Sequence, residues 1–267
     1  MEKKALPAPE RIKAVFLDID GTLFSHSDWS IPASAVQAVH RLQEKGIKVI
    51  ACTGRHTLEM AEMPLDSVRF DALVTLNGAL CLEKDEIIYH VPLHKEDLAS
   101  LLEALQEDPF ACIFLEKDCM YMNMHSEAAE KGQQDINTSL PPVTDVSRAL
   151  ENNVYMIVPY VRDDVWQKAS AGMKHIKAAR WSEALDVFHE DTGKAKGMQE
   201  VCRYFGWTKD EVIACGDGPN DLEMKEACGF LAAMGNSVDA LKESADYITD
   251  DIDEDGLAHV FEALGLL

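Results

Sequence analysis

The sequence is short of the features that mark several protein classes. Its seven cysteines (Cys52, Cys81, Cys112, Cys119, Cys202, Cys215 and Cys228) are odd in number and scattered, with no Cys-x-x-Cys pair. That pattern indicates neither a disulfide framework nor a zinc site, and the residues read as buried thiols of a reducing compartment. No apolar run is long enough to span a bilayer, and the opening Met-Glu-Lys-Lys-Ala-Leu-Pro-Ala-Pro-Glu lacks the apolar core of a signal peptide. A cytoplasmic protein with no membrane partner is expected. Lys/Arg-rich runs are also missing, and the formal charge is -22, which argues against a nucleic-acid partner, because nothing is available to neutralise a phosphate backbone. A small anion must therefore be bound by a local site working against the global field.

What is present is ordinary globular material: 267 residues, 47% hydrophobic and 27% charged, enough for one large domain or two modest ones. The chain is organised around Lys13 to Leu23, where the apolar run Val15-Phe16-Leu17 delivers Asp18 and Asp20 and stops at Gly21. The run reads as a buried strand, and at the carboxyl end of such a strand in an open parallel sheet both acids face one ligand crevice. Two acids so close repel unless a cation lies between them, and a hard divalent ion such as Mg2+ takes oxygen ligands while leaving positions for substrate phosphate. A solvated turn would use the same residues, so the remaining strand ends decide the matter.

Those ends repeat the theme. Ile47 to Cys52 runs into Thr53-Gly54-Arg55, which offers a hydroxyl, close backbone approach and a cation to a phosphoryl group, although Arg55 could instead pair with Glu59. Ala72 to Leu76 ends in Asn77-Gly78-Ala79. Thr192-Gly193-Lys194-Ala195-Lys196-Gly197 opens a helix with two lysines, one of which is expected to meet the phosphate. Glu211 to Cys215 leads into Gly216-Asp217-Gly218-Pro219-Asn220-Asp221, a tight turn that aims Asp217 and Asp221 at one point, with Asp217 as metal ligand and Asn220 as a neutral partner; Asp221 could also cap the helix that follows. Asp251-Ile-Asp253-Glu-Asp255-Gly256 with Glu262 matches a calcium-loop pattern letter for letter. The preceding segment reads as a strand and not as an incoming helix, so these acids are expected to form a solvated turn before the last helix.

Between these motifs, residues 81–186 carry hairpin patterns and no phosphate-type motif. The expected architecture is α/β: a Rossmann-like, doubly wound parallel sheet core (residues 1–80 and 187–267) with an inserted α+β cap domain (residues 81–186).

The ordered set Asp18-Ile-Asp20-Gly-Thr22, Thr53-Gly54-Arg55, Lys196-Gly197 and Gly216-Asp217-Gly-Pro-Asn220-Asp221 resembles the haloacid dehalogenase superfamily, and Asn77-Gly78-Ala79 with the Asp-Glu-Asp-Gly turn resembles its Cof-type phosphatases. The lysine of that family is commonly followed by glycine, which favours Lys196 over Lys194. The resemblance implies a Mg2+-dependent phosphatase of small phosphorylated metabolites, sugar phosphates foremost. Asp18 would be the nucleophile and Asp20 the general acid and base; Asp18, Asp20 and Asp217 would hold the metal, with Asp221 in or beside its coordination, and Thr53, Gly54, Lys196 and Asn220 would bind phosphate. It also implies a cap that reads the leaving group and moves on hinges near Ala79–Cys81 and Asp186–Glu190. A phosphomutase and a non-enzymatic calcium- or metabolite-binding protein are the alternatives.

Overall fold

The computed structural model describes residues 6–267; residues 1–5, the first half of the opening segment considered above, lie outside the described residues. The strands in chain order are β1 (Ala14–Leu17), β2 (Lys48–Cys52), β3 (Ala72–Thr75), β4 (Leu80–Glu83), β5 (Glu86–His90), β6 (Cys112–Leu115) and β7 (Met120–Met122). They continue as β8 (Met156–Pro159), β9 (Ile176–Trp181), β10 (Ala184–His189), β11 (Val212–Gly216), β12 (Phe230–Ala233) and β13 (Tyr247–Ile248).

The larger sheet has the order β13-β12-β11-β1-β2-β3-β4-β5. From β13 to β3 every neighbouring pair is parallel, and β4 then returns antiparallel to β3. The chain leaves β1 in one direction toward β2 and β3 and comes back on its other side with β11, so the order reverses at β1. In open α/β sheets ligands bind outside the carboxyl ends of the strands at such a reversal. The apolar run of β1 follows from its position: Ala14 and Phe16 face one core with the helix Lys194–Phe205, and Val15 and Leu17 face the other with the helices Ala33–Glu44 and Gly256–Ala263. With both faces covered, Val15, Phe16 and Leu17 are fully buried, worth about 1.5–3 kcal/mol for each side chain.

The second sheet, β7-β6-β8-β10-β9, is antiparallel at each junction. Its core gathers Leu98, Leu101, Phe114, Ile157, Trp166 and Val187 between the sheet and its helices. The fold is thus α/β with a parallel core and an additional antiparallel sheet.

The chain forms two compact units, and their limits differ from those expected. The first comprises the described residues up to Thr53 together with Met63–Tyr89 and Gly193–Leu267; the second comprises Gly54–Glu62 and His90–Thr192. The β4–β5 hairpin, read from sequence as the start of an inserted block, continues the larger sheet because β4 pairs with the edge of β3. The chain therefore passes between units at Thr53/Gly54, Glu62/Met63, Tyr89/His90 and Thr192/Gly193, whereas Cys81 and Asp186, at the expected hinges, lie within β4 and β10. The segment Gly54–Glu62 joins the second unit through its polar groups: His56 Nε2 meets the Glu116 carbonyl at 2.7 Å, Arg55 donates to the Ile136 carbonyl at 3.2 Å, and Glu62 accepts from the Ser139 N–H at 2.8 Å. No helix among the described residues is long and apolar enough to cross a membrane.

Candidate active site

The carboxyl ends of β1 and β11 place Asp18 and Asp217 side by side, and the turn after β11 adds Asp221. Oxygens of these three carboxylates lie within 4.8 Å of one another. Parallel pairing of β1 with β11 makes this convergence possible, since Leu17 stands opposite Cys215 and both strands end at one edge. Gly21 permits the close approach of the loop after β1. It adopts φ +81°, and a Cβ there would lie 2.3 Å from Asp217 Oδ2. The neighbouring Thr22 hydroxyl donates to Asp217 Oδ1 at 2.8 Å.

The lysine choice made from sequence is corrected by the structure. Lys194, not Lys196, enters the cluster: its ammonium is fully buried, 2.6 Å from Asp18 Oδ1 and 2.5 Å from Asp221 Oδ1. Lys196 is paired with Glu200 at 2.7 Å, is 40% exposed and lies over the Tyr89 ring. The physical reason is helix geometry. The helix begins at Lys194, and side chains of a first turn lean back toward the N-terminus, here the strand ends; two residues on, the side chain has turned about 200° away. Glu223 completes the arrangement by accepting the Lys194 backbone N–H. The glycine that follows Lys196 pointed to the wrong residue: Lys194 is followed by Ala195, and its glycine, Gly193, precedes it.

Asp221 is engaged on both oxygens. Oδ1 takes Lys194, and Oδ2 accepts the N–H groups of Asp217 and Gly218 at 2.8 and 2.9 Å. It therefore anchors the lysine and shapes the turn. Asp20 is not in the three-carboxylate cluster; its Oδ1 meets His26 Nε2 at 2.9 Å, a partner for which the sequence offered no motif. Asn220 donates its side-chain amide to Asn77 Oδ1 at 3.1 Å, and the Asn77 N–H donates to the Thr53 carbonyl at 3.1 Å, so the turn after β11 is tied to those after β2 and β3. Thr53 is buried in the first unit, and Gly54 and Arg55 belong to the second.

Glycines seat the lysine helix. A Cβ on Gly78 (φ +84°) would lie 2.0 Å from the Gly193 carbonyl oxygen, and one on Gly197 would lie 2.5 Å from Val74 Cγ1 and 3.0 Å from Gly78 Cα. Only bare backbone lets the helix start come so near β3, which is why Gly78 and Gly197 stand next to the two motifs.

The electrostatics of the cluster are those of an acid-rich pocket. Burial pushes the Asp18 carboxyl well above the ordinary carboxylate range; Lys194 opposes this, while Asp221, Asp217 and Asp20 reinforce it. Burial, then Asp221, raises Asp217 to about 7, with the Thr22 hydrogen bond working the other way. For Lys194 burial acts to lower the pKa, but Asp18 and Asp221 prevail and hold the ammonium well above the usual lysine range. With all three carboxylates ionised, one ammonium would leave two negative charges unbalanced, and the raised Asp18 and Asp217 carboxyls reflect that cost. A hard divalent cation such as Mg2+ fits that deficit and that all-oxygen donor set, with Asp18 and Asp217 as the side chains able to hold it. The acids of the calcium-loop match do not gather in this way. Asp253 accepts the Ser25 hydroxyl, Asp255 accepts the Ser34 hydroxyl, and Asp251 caps its own turn, after the strand β13 and not an incoming helix. All seven cysteines are free and six are buried.

Comparison with known proteins agrees with this geometry. The profile of the haloacid dehalogenase-like hydrolases matches residues 15–261, so the chain belongs to that family. It is 31% identical to the protein known as "Putative phosphatase YkrA" of Bacillus subtilis, over 96% of this chain and 98% of that one. It is 26% identical to the 5-amino-6-(5-phospho-D-ribitylamino)uracil phosphatase YitU of the same organism, over 91% and 94%. Among solved structures, the subclass IIB sugar phosphatase BT4131 superposes with a TM-score of 0.84 at 28% identity, covering 96% of this chain and all of that one. The chain is accordingly a phosphoric monoester hydrolase of the haloacid dehalogenase type.

Proposed function

We propose that this hydrolase acts on small phosphorylated metabolites, sugar phosphates foremost, by passing the phosphoryl group to Asp18 and then to water. The observation that carries the reading is the buried Asp18–Lys194–Asp221 array at the strand reversal, with Asp217 alongside. Asp18 Oδ attacks phosphorus as the bond to the leaving oxygen breaks, giving an aspartyl-phosphate. Lys194, fixed by Asp221, places its ammonium where the phosphoryl oxygens gain charge, a role for a cation that needs no reorganisation during the reaction. Asp20 protonates the leaving oxygen and later takes the proton of the water that attacks the aspartyl-phosphate. The Thr53 hydroxyl is read as a phosphoryl donor, and Asn220 as the residue that holds the surrounding turns in register. Mg2+ held by Asp18 and Asp217 would supply the positive charge that keeps Asp18 ionised and neutralises the incoming dianion.

The sugar-phosphate preference is supported by the likeness to BT4131, a sugar phosphatase. The acidic surface also disfavours polymeric anions. The test is inorganic phosphate release from a panel of sugar phosphates, nucleotides and pyridoxal phosphate by wild type and Asp18→Asn. Loss of release in the variant, and loss in wild type on chelation with recovery on adding Mg2+, are expected. An Asp18→Asn protein that kept the wild-type rate would overturn the assignment, and isomerised sugar phosphate without phosphate release would overturn hydrolysis.

A further inference from the structure

We infer that Asn77 is a positioning residue that locks the turn carrying Asp217 and Asp221 to the strand end carrying Thr53. The inference rests on reading the Thr53 hydroxyl as a hydrogen-bond donor to the phosphoryl group. Asn77 lies in the four-residue loop between β3 and β4, where Thr75 stands opposite Leu80. Leu76, Asn77 and Gly78 are all buried and run at φ +52°, +51° and +84°. A left-handed conformation is uncommon outside glycine and an outlier for leucine, so three in succession persist only where the surroundings impose them. One buried turn thereby meets three of the motifs read from the sequence. The Asn77 N–H donates to the Thr53 carbonyl at 3.1 Å, next to the Thr53 N–H donating to the Val74 carbonyl at 2.8 Å. Gly78 lies against the Gly193 carbonyl, at the start of the Lys194 helix. Asn77 Oδ1 accepts the Asn220 side-chain amide at 3.1 Å.

Sheet order gives the last of these bonds its meaning. β11 and β3 are three strand spacings apart, about 14 Å, so a bond between their turns spans the ends of β1 and β2, after which Asp18 and Thr53 stand. The turn after β11 is itself a rigid block, since Asp221 Oδ2 accepts the N–H groups of Asp217 and Gly218. Asn77 thus holds Thr53 by its backbone and that block by its side chain, and keeps the hydroxyl at a set distance from the carboxylates. Donors placed in advance need no reorganisation as charge builds on the phosphoryl oxygens, whereas a displacement of about 1 Å costs up to about a hundredfold. The residue type follows: asparagine tolerates the left-handed backbone and offers a neutral acceptor. Glycine would lose the acceptor, and aspartate would set another carboxylate beside an acid-rich turn.

Double-mutant cycles on kcat separate this lock from a merely structural role, measured on the full chain with 4-nitrophenyl phosphate and saturating Mg2+. Asn77→Gly keeps the left-handed backbone and removes the acceptor. It is expected to lower kcat about tenfold or more while KM stays within about twofold, with denaturant titration showing the chain folded. In an Asn220→Ala background, where the bond is already absent, Asn77→Gly should cost no more than about twofold. The same is expected in a Thr53→Ala background, where the hydroxyl to be positioned is gone. Thr53→Ala alone should lose more than Asn77→Gly. If Asn77→Gly leaves kcat unchanged, or keeps its full loss in either background, the inference about Asn77 is wrong, and a loss in Thr53→Ala leaves the reading of Thr53 standing. If Thr53→Ala is as active as wild type, the donor reading is wrong and the inference about Asn77 goes with it.

Discussion

Lys194 in the first unit is sealed between Asp18 and Asp221, whereas the second unit keeps ion pairs such as Arg162–Asp164 and Lys131–Glu183 at the surface, each side chain more than half exposed. Strand direction accounts for the contrast. Parallel β1, β2, β3 and β11 all end at one edge, so short side chains following each strand meet there and hold charge away from water. The antiparallel strands of the second sheet send successive ends to opposite edges, and no such meeting point arises. The comparison teaches that the buried charge is a product of topology as much as of residue choice: an aspartate after an antiparallel strand would have had few neighbours to gather with.

The sharpest way to break the comparison is to remove the buried cation. Lys194→Ala leaves Asp18 and Asp221 facing each other without their ammonium, and a loss on the order of 3–5 kcal/mol in unfolding free energy is expected from denaturant titration. Its kcat should fall about a hundredfold or more where the chain folds. A variant as stable and active as wild type would show that the array carries neither burden. Next in size is Gly78→Ala, which places a methyl against the Gly193 carbonyl at a positive φ. About 2 kcal/mol or more should be lost, with lowered activity because the start of the lysine helix is displaced.

The second unit supplies a smaller, pH-dependent effect. Burial of His56 lowers its pKa from the ordinary 6.5, with the hydrogen bond to the Glu116 carbonyl working the other way. Between that lowered value and 6.5 the unfolded chain binds a proton that the native state does not, so stability must fall as the pH drops below 6.5. Thermal melts of wild type and His56→Gln across that range should converge as the pH falls; parallel curves would show that His56 does not titrate in this way. The smallest effect belongs to Lys196. Its ammonium is partly exposed, and its partner Glu200, four residues on, also meets Arg203 at 2.5 Å, so Lys196→Ala should cost no more than about 0.5 kcal/mol. Activity near wild type is expected from a phosphate-release assay, in contrast to Lys194→Ala.

How far the sequence could be read follows from the same physics. Asp18, Thr53, Asn77 and Asp217 were visible because each ends an apolar run and precedes a glycine or a small polar turn, a local pattern that needs no knowledge of the partner strand. The lysine was misread, since the glycine that follows Lys196 favoured the wrong residue, while the position of the helix start, which decides which lysine points back at the sheet, is not marked locally. The limits of the units were misread for a comparable reason. The β4–β5 hairpin alternates like an independent element, yet its pairing to β3 is a long-range fact. Gly54–Glu62 follows β2 directly but is held by Glu116, Ile136 and Ser139. His26 carried no signal at all, because nothing in the local sequence marks a histidine of a polar loop as a partner of Asp20.

The central claim, that Asp18 accepts the phosphoryl group, is tested most directly by trapping the intermediate. Enzyme mixed with a turned-over sugar phosphate, quenched in acid and reduced with borohydride, should yield homoserine at position 18 on peptide mass spectrometry, and none in Asp18→Asn. Homoserine at another aspartate, or turnover with position 18 unmodified at every quench time, would contradict the account.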